Sequence, residues 1–135
     1  MLLQPKKQKY KKNKKGKIKK LNYSSNKLKF GTIGLKAIES GLIASNQIEA
    51  VRQTINRKLK RKIKIWFRIF PNIPVTSKPI SSRMGKGKGS VNYWSARVGA
   101  GTIILELCVT SYCNVIKALK SGISKLPVKT KIIYY

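Results

Sequence analysis

An α+β sandwich, two helices packed on one face of a mostly antiparallel sheet, is the fold class that the sequence predicts. Three observations point to it. Apolar residues recur at a two-residue period in several short runs and at helical spacing in two longer ones, and no strict strand–helix–strand series repeats. Hydrophobic residues make up 41% of the 135, enough for one buried core. A lysine-dense stretch comes before the first periodic segment, so we expect a basic extension over residues 1–26 and a single domain over residues 27–135.

Between Phe30 and Ala37, Ile33, Leu35 and Ala37 alternate with Thr32, Gly34 and Lys36, the pattern of a half-buried strand that Gly41 ends. From Ser45 the spacing changes to Ile48, Val51, Ile55 and Leu59, an amphipathic helix of about sixteen residues. Lys62 to Phe70 alternates again, with Ile63, Ile65, Phe67 and Ile69 on one face. Pro71, Pro74 and Pro79 then oppose ladder pairing, which predicts a long loop through Ser90. Val91 to Val98 and Thr102 to Val109 read as a hairpin joined by Gly99-Ala100-Gly101. Ser111 is placed to cap a second helix with Val115, Ile116, Leu119 and Ile123 on its buried stripe, and Pro127 stops it before a last strand from Val128 to Tyr134. Trp66, Phe67, Phe70 and Trp94 fit the core or sheet better than a base-stacking platform.

Charge narrows the function. Lys and Arg number 31 against 3 acidic residues, a net charge of +28. Self-repulsion on this scale calls for a polyanionic partner, nucleic acid or an anionic membrane. The longest uncharged stretch, between Glu106 and Lys117, is about half the ~20 residues that an apolar spanning helix needs, so no membrane insertion is expected. The start has neither the apolar region of a secretory signal nor the pattern of an Arg/Ser presequence, which predicts action in the compartment of synthesis.

Catalysis is disfavoured. Histidine and aspartate are absent, and the only carboxylates are Glu39, Glu49 and Glu106. Cys108 and Cys113 lack the C-x-x-C spacing of a redox or zinc site and are expected to be small half-buried hydrophobes. No metal and no cofactor is implied. An enzyme built on a cysteine or glutamate, and a lipid-binding protein using the amphipathic helix, are the weaker alternatives.

Three segments concentrate the cations. From Lys6 to Lys20 ten of fifteen residues are lysine, namely Lys6, Lys7, Lys9, Lys11, Lys12, Lys14, Lys15, Lys17, Lys19 and Lys20, an arm suited to phosphates. The first helix carries Arg52, Arg57, Lys58, Lys60, Arg61 and Lys62 opposite its apolar stripe, more than its dipole needs, and so faces RNA. The third segment is Arg83-Met84-Gly85-Lys86-Gly87-Lys88-Gly89-Ser90. Its alternate glycines allow positive φ and close backbone approach, and its lysines put charge at that contact. It matches neither the phosphate loop G-x-x-x-x-G-K-[ST] nor the dinucleotide fingerprint G-x-G-x-x-G, which leaves polymeric RNA phosphate as the ligand.

MLLQPKK (1–7), FGTIGLKA (30–37), QIEAVR (47–52), KIWFRIFPNIP (64–74), TSKPI (76–80), RMGKGKGSVNYW (83–94) and KLPVK (125–129) occur in one order and spacing. In these segments the sequence resembles the family of the sixteenth protein of the bacterial large ribosomal subunit, and the resemblance extends over almost the whole chain. The resemblance implies a hammerhead-type α+β domain bound to large-subunit rRNA, beside neighbouring large-subunit proteins, that helps to order the aminoacyl-site tRNA. It further implies that the loop of Arg83, Met84, Gly85, Lys86, Gly87, Lys88 and Gly89 lies near the tRNA path, and that the Lys6–Lys20 arm reaches towards the peptidyl-transferase region, where the RNA does the chemistry. The sequence departs from the family pattern in using lysine where bacterial members mix in arginine, in the extra Leu3, and in Ala44 or Ser45 at the expected N-cap. The lysine, isoleucine and asparagine bias suggests an AT-rich gene. We therefore expect a mitochondrial ribosome, with a plastid or a bacterial cytoplasm as alternatives.

Overall fold

The computed structural model describes residues 3–10, 12–18, 21–108 and 112–135. Strand β1 (Ile33–Ala37) keeps the expected alternation at its core, and β2 (Gly41–Ala44) follows directly. Helix α1 (Ser45–Lys58) buries Ile48, Val51 and Ile55, the stripe that its spacing predicts. Ala44 occupies its N-cap and has no side-chain acceptor to offer; Gln47 Oε1 instead reaches back to accept the Ala44 N–H at 2.9 Å, half of a capping box. Next come β3 (Ile65–Phe67), β4 (Ile73–Ser77), β5 (Ser90–Val98), β6 (Ile103–Leu107), α2 (Tyr112–Ile123) and β7 (Thr130–Tyr134).

The strands form two antiparallel sheets, β3-β6-β1-β7 and β2-β5-β4. The helices pack together over the four-stranded sheet: Val51, Ile55 and Leu59 of α1 and its following turn, with Val115, Ala118 and Leu119 of α2, cover Ile33, Leu35, Leu105 and Leu107. Ala37, Ile43, Ile48, Ala96, Val98, Ile104 and Val128 form a second cluster that joins the two sheets, and through Ile48 α1 contributes to both clusters. The α+β sandwich holds, with β7 paired to β1 along its full length.

Several expected elements differ. Gly41 does not end a run; it opens β2, which pairs with β5. The strand expected from Lys62 to Phe70 is reduced to three residues, Ile65, Trp66 and Phe67, which stand in register with β6, and the Arg68 N–H makes one last bond to Ile104 O at 3.0 Å. The expected proline-rich loop contains β4, with Pro74 opposite Trp94. As the edge of its sheet, β4 turns alternate N–H groups outward, where a missing donor breaks no ladder bond. The hairpin is not one: β5 and β6 belong to different sheets, and Gly99–Gly101 carries the chain between them. The Gly101 N–H is held by Ala37 O at 2.8 Å. Cys108 and Cys113 are exposed, since Cys108 lies just past the end of β6 and Cys113 on the outer side of the first turn of α2. Of the four large aromatics only Trp66, Phe67 and Trp94 are half-buried, and Phe70 is exposed. The expected cap Ser111 lies outside the described residues.

Glu106 on β6 is fully buried. Its Oε2 accepts the N–H groups of Lys29, Phe30 and Gly31 at 3.0, 2.7 and 2.9 Å, and its Oε1 accepts Arg68 Nη1 at 2.6 Å. The same Arg68 nitrogen donates to Lys27 O at 2.8 Å. Burial is the largest influence on the carboxyl and opposes ionisation, but the three N–H groups and the guanidinium together outweigh it and hold the pKa below the ordinary value. The unfolded chain, with a pKa of about 4.3, therefore takes up this proton first on acidification. The stabilisation is complete above about pH 5 and is lost as pH falls through the lower folded value. Urea unfolding followed against pH is expected to show a falling midpoint below about pH 5, and Glu106→Gln to flatten that fall. At neutral pH, Arg68→Ala is expected to cost about 3 kcal/mol, because it leaves a buried carboxylate without its cation.

Candidate nucleic-acid interface

The loop from Arg83 to Gly89 divides its glycines between two tasks. Gly85 and Gly87 have left-handed φ of +81° and +76°, and a side chain there would meet nothing of the protein within 4 Å. Gly89 lies so close to β4 that a Cβ would stand 2.0 Å from Ser77 O. One end of the loop is thus pinned to the chain's own backbone, while the tip, with Arg83, Met84 and Lys86, is exposed. Close backbone approach, expected from the sequence to serve a ligand, serves β4 at Gly89.

The arm lies along this loop and along β5. Lys12 Nζ donates to Lys88 O at 2.6 Å, and Lys88 Nζ donates to Asn13 O at 2.6 Å, a reciprocal clasp between the two most basic segments. Arg97 on β5 donates to the carbonyls of Lys14 and Lys15, Ser40 Oγ to Ile18 O at 3.1 Å, and the Asn22 N–H to Ala100 O at 2.8 Å. No described residue of the arm lies in a strand; the carbonyls of Asn13, Lys14, Lys15 and Ile18 accept from side chains of the body. Lys6, Lys7, Lys9, Lys12, Lys14, Lys15 and Lys17 remain exposed, while Lys11, Lys19 and Lys20 lie outside the described residues.

The helix cations separate into two kinds. Arg52 is engaged by Glu49 on the same helix, Nε to Oε2 at 2.9 Å and Nη2 to Oε1 at 2.6 Å, and this hydrogen bonding chiefly holds the Glu49 pKa at about 2. Its charge is therefore answered by a carboxylate within the chain. Arg57, Lys60 and Arg61 are exposed, and with Arg52, Gln53 and Asn56 they line a groove of 500 Å³. Lys60 and Arg61 adopt left-handed φ of 49° and 59° without being glycine, at a cost of order 1 kcal/mol each. The Arg61 N–H closes the helix end on Asn56 O at 3.0 Å. The structure brings the arm and the loop together, and it gives the helix cations a groove of their own.

Two cations that the sequence does not single out belong to the same surface as the arm. Arg97 anchors the arm, and Arg68, besides holding Glu106, lines with Arg97 a cavity of 610 Å³ between arm and sheet. Their only sequence signal is an arginine within a strand run of a chain that otherwise prefers lysine. All three glutamates answer cations, Glu39 with Lys129 at 2.9 Å, Glu49 with Arg52 and Glu106 with Arg68, so among the described residues the arm and the loop carry their charge unpaired with any glutamate. Trp66 is covered by Phe30, stacked at 6.2 Å, and by Lys64 at 5.2 Å, which bears out its assignment to packing.

The clasp makes a testable distinction between two neighbouring lysines. Lys88→Ala is expected to loosen the arm locally around Asn13, seen as lowered order parameters there in backbone ¹⁵N relaxation, with Lys14 to Ile18 still held by Arg97 and Ser40, whereas Lys86→Ala leaves Asn13 unchanged.

The sequence profile of the family described as Ribosomal protein L16p/L10e matches residues 5–133. Large ribosomal subunit protein uL16 of Bartonella henselae is 48% identical over 132 residues, which cover 98% of this chain and 96% of the relative. The protein of the same name from Caulobacter vibrioides is 46% identical over 132 residues, covering 98% of this chain and 92% of the relative. The family is one of ribosomal proteins and not of enzymes. With a profile spanning nearly all of the sequence and relatives at this identity, the chain belongs to the ribosomal protein L16p/L10e family.

Proposed function

We propose that this protein is a structural constituent of the large ribosomal subunit that binds large-subunit rRNA and helps to order the aminoacyl-site tRNA, in contact with neighbouring large-subunit proteins. The observation that carries the reading is the reciprocal clasp of Lys12 and Lys88, which makes the arm and the loop one cationic surface on a chain of net charge +28. In this reading Lys6, Lys7, Lys9, Lys11, Lys12, Lys14, Lys15, Lys17, Lys19 and Lys20 meet rRNA phosphates, joined by Arg83, Lys86 and Lys88 of the loop. Arg57 and Arg61 grip RNA at the end of α1, with Arg52 contributing the N–H groups that Glu49 leaves free. The tip from Arg83 to Gly89 is the part nearest tRNA. Its two left-handed glycines leave the backbone bare for close approach to a ribose-phosphate chain. The division into an extension over 1–26 and a domain over 27–135 is part of the same proposal. No helix among the described residues is long and apolar enough to cross a membrane.

The finer location we propose is the mitochondrial ribosome, on the strength of a composition with 25 lysines against 6 arginines. The Bartonella and Caulobacter relatives, at 46–48% identity, are bacterial, and a bacterial cytoplasm is the alternative. Fractionation of the source cells decides between them: cosedimentation with mitochondrial large subunits is the expected outcome, and a bacterial cytoplasmic ribosome overturns it.

For the rRNA role, ten phosphate contacts imply an affinity for large-subunit rRNA that falls by roughly 10³–10⁵ between 50 and 200 mM salt. Lys86→Ala/Lys88→Ala is expected to flatten the salt slope by about two contacts and to lower subunit yield or aminoacyl-tRNA binding in reconstitution, with the circular dichroism of the free protein unchanged. Unchanged yield and tRNA binding in that variant refute the loop's role.

A further inference from the structure

The cavity of 610 Å³ between the arm and the three-stranded sheet is chemically unlike the rest of the cationic surface. Its walls include Asn13 and Asn72, both exposed, together with Ser25, Thr102 and Arg97, and the exposed ring of Phe70, 52% accessible, stands at its side. A phosphate offers only acceptors and is satisfied by N–H donors. Amide and hydroxyl side chains offer donors and acceptors together, the complement of a base edge, and an aromatic face offers a stacking partner. The volume lies within the about 300–1,000 Å³ of small-molecule sites. The groove at the end of α1 provides the contrast, because four of its six lining residues are cations.

We propose that this cavity receives one unstacked nucleobase of the bound RNA, with Phe70 stacking on its face and Asn72 and Asn13 hydrogen-bonding its edge. The proposal rests on the rRNA-binding reading above and adds base contact to it. Lys14, Arg68 and Arg97 are the cations of the cavity wall and hold the flanking phosphates, so the clasp that fixes Asn13 also completes the pocket wall. Sequence preference would then come from the body of the protein, while the loop and arm read only charge.

The test uses the full chain and two short single-stranded RNAs of equal length, one carrying all its bases and one abasic at its central positions. The expected result is about tenfold tighter binding of the base-bearing strand, the scale of one stacked base. Phe70→Ala and Asn72→Ala, both at exposed positions, should each bring it down to the abasic level without changing the salt slope. Photoactivated 4-thiouridine in that strand should crosslink to the Phe70–Asn72 segment. Equal affinity for the two strands, or a preference that survives both substitutions, overturns the base pocket and leaves the rRNA reading standing. Absence of salt-dependent binding to either strand overturns the rRNA reading and the pocket with it.

Discussion

Glu106 holds a full negative charge inside a protein that is otherwise overwhelmingly positive, and the layout of the four-stranded sheet follows from how that charge is satisfied. Three successive N–H groups from Lys29 to Gly31 turn towards one carboxylate oxygen just before β1 begins, while Arg68, just after β3, takes the other. A buried carboxylate with fewer partners would protonate or expel its strand. The three segments are therefore fixed around β6, and the β3-β6-β1 order is set by one side chain. The same arginine lines the cavity beside the arm, so the core's electrostatics and the surface's geometry share a residue.

The remaining charge is handled differently. Thirty-one cations cannot be paired with three acids, and the fold makes no attempt to do so. It uses backbone carbonyls as partial counter-charges: Lys88, Arg97 and Lys12 each spend hydrogen bonds on main-chain oxygens of the facing segment. Such bonds cost the cations little of their field, so the arm and loop remain attractive to a polyanion while already lying side by side. Preorganisation of this kind reduces the ordering entropy that a free basic tail loses when it binds.

Much of this was legible in the residues. The stripe of Ile48, Val51, Ile55 and Leu59 named the buried face of α1, and the alternation of Ile33, Leu35 and Ala37 named β1, because both are periodicities imposed by a core on one side. The loop glycines announced an unusual backbone. What escaped was non-local. Pro74 reads as a ladder breaker unless one knows that β4 lies at a sheet edge, and β5 and β6 read as a hairpin because a glycine turn between two strands is the same locally whether the chain folds back or crosses to another sheet. Gly41–Ala44 is too short to display a period. The clasp left no pattern at all, since it joins a lysine and a carbonyl of segments far apart in the chain.

The pairing of β7 with β1, in which Ile33 faces Tyr134, has a kinetic meaning. Closing that contact joins segments about a hundred residues apart, and folds dominated by such distant pairings form slowly, because loop entropy is lost before the contacts reward it. During synthesis the four-stranded sheet cannot close until β7 has been made, so the lysine arm and the α1 cations emerge well before the core that would hold them is complete. For that interval the nascent chain is a polycation with exposed strand edges. An early RNA partner would act on it as a counter-charge during folding as well as a destination afterwards.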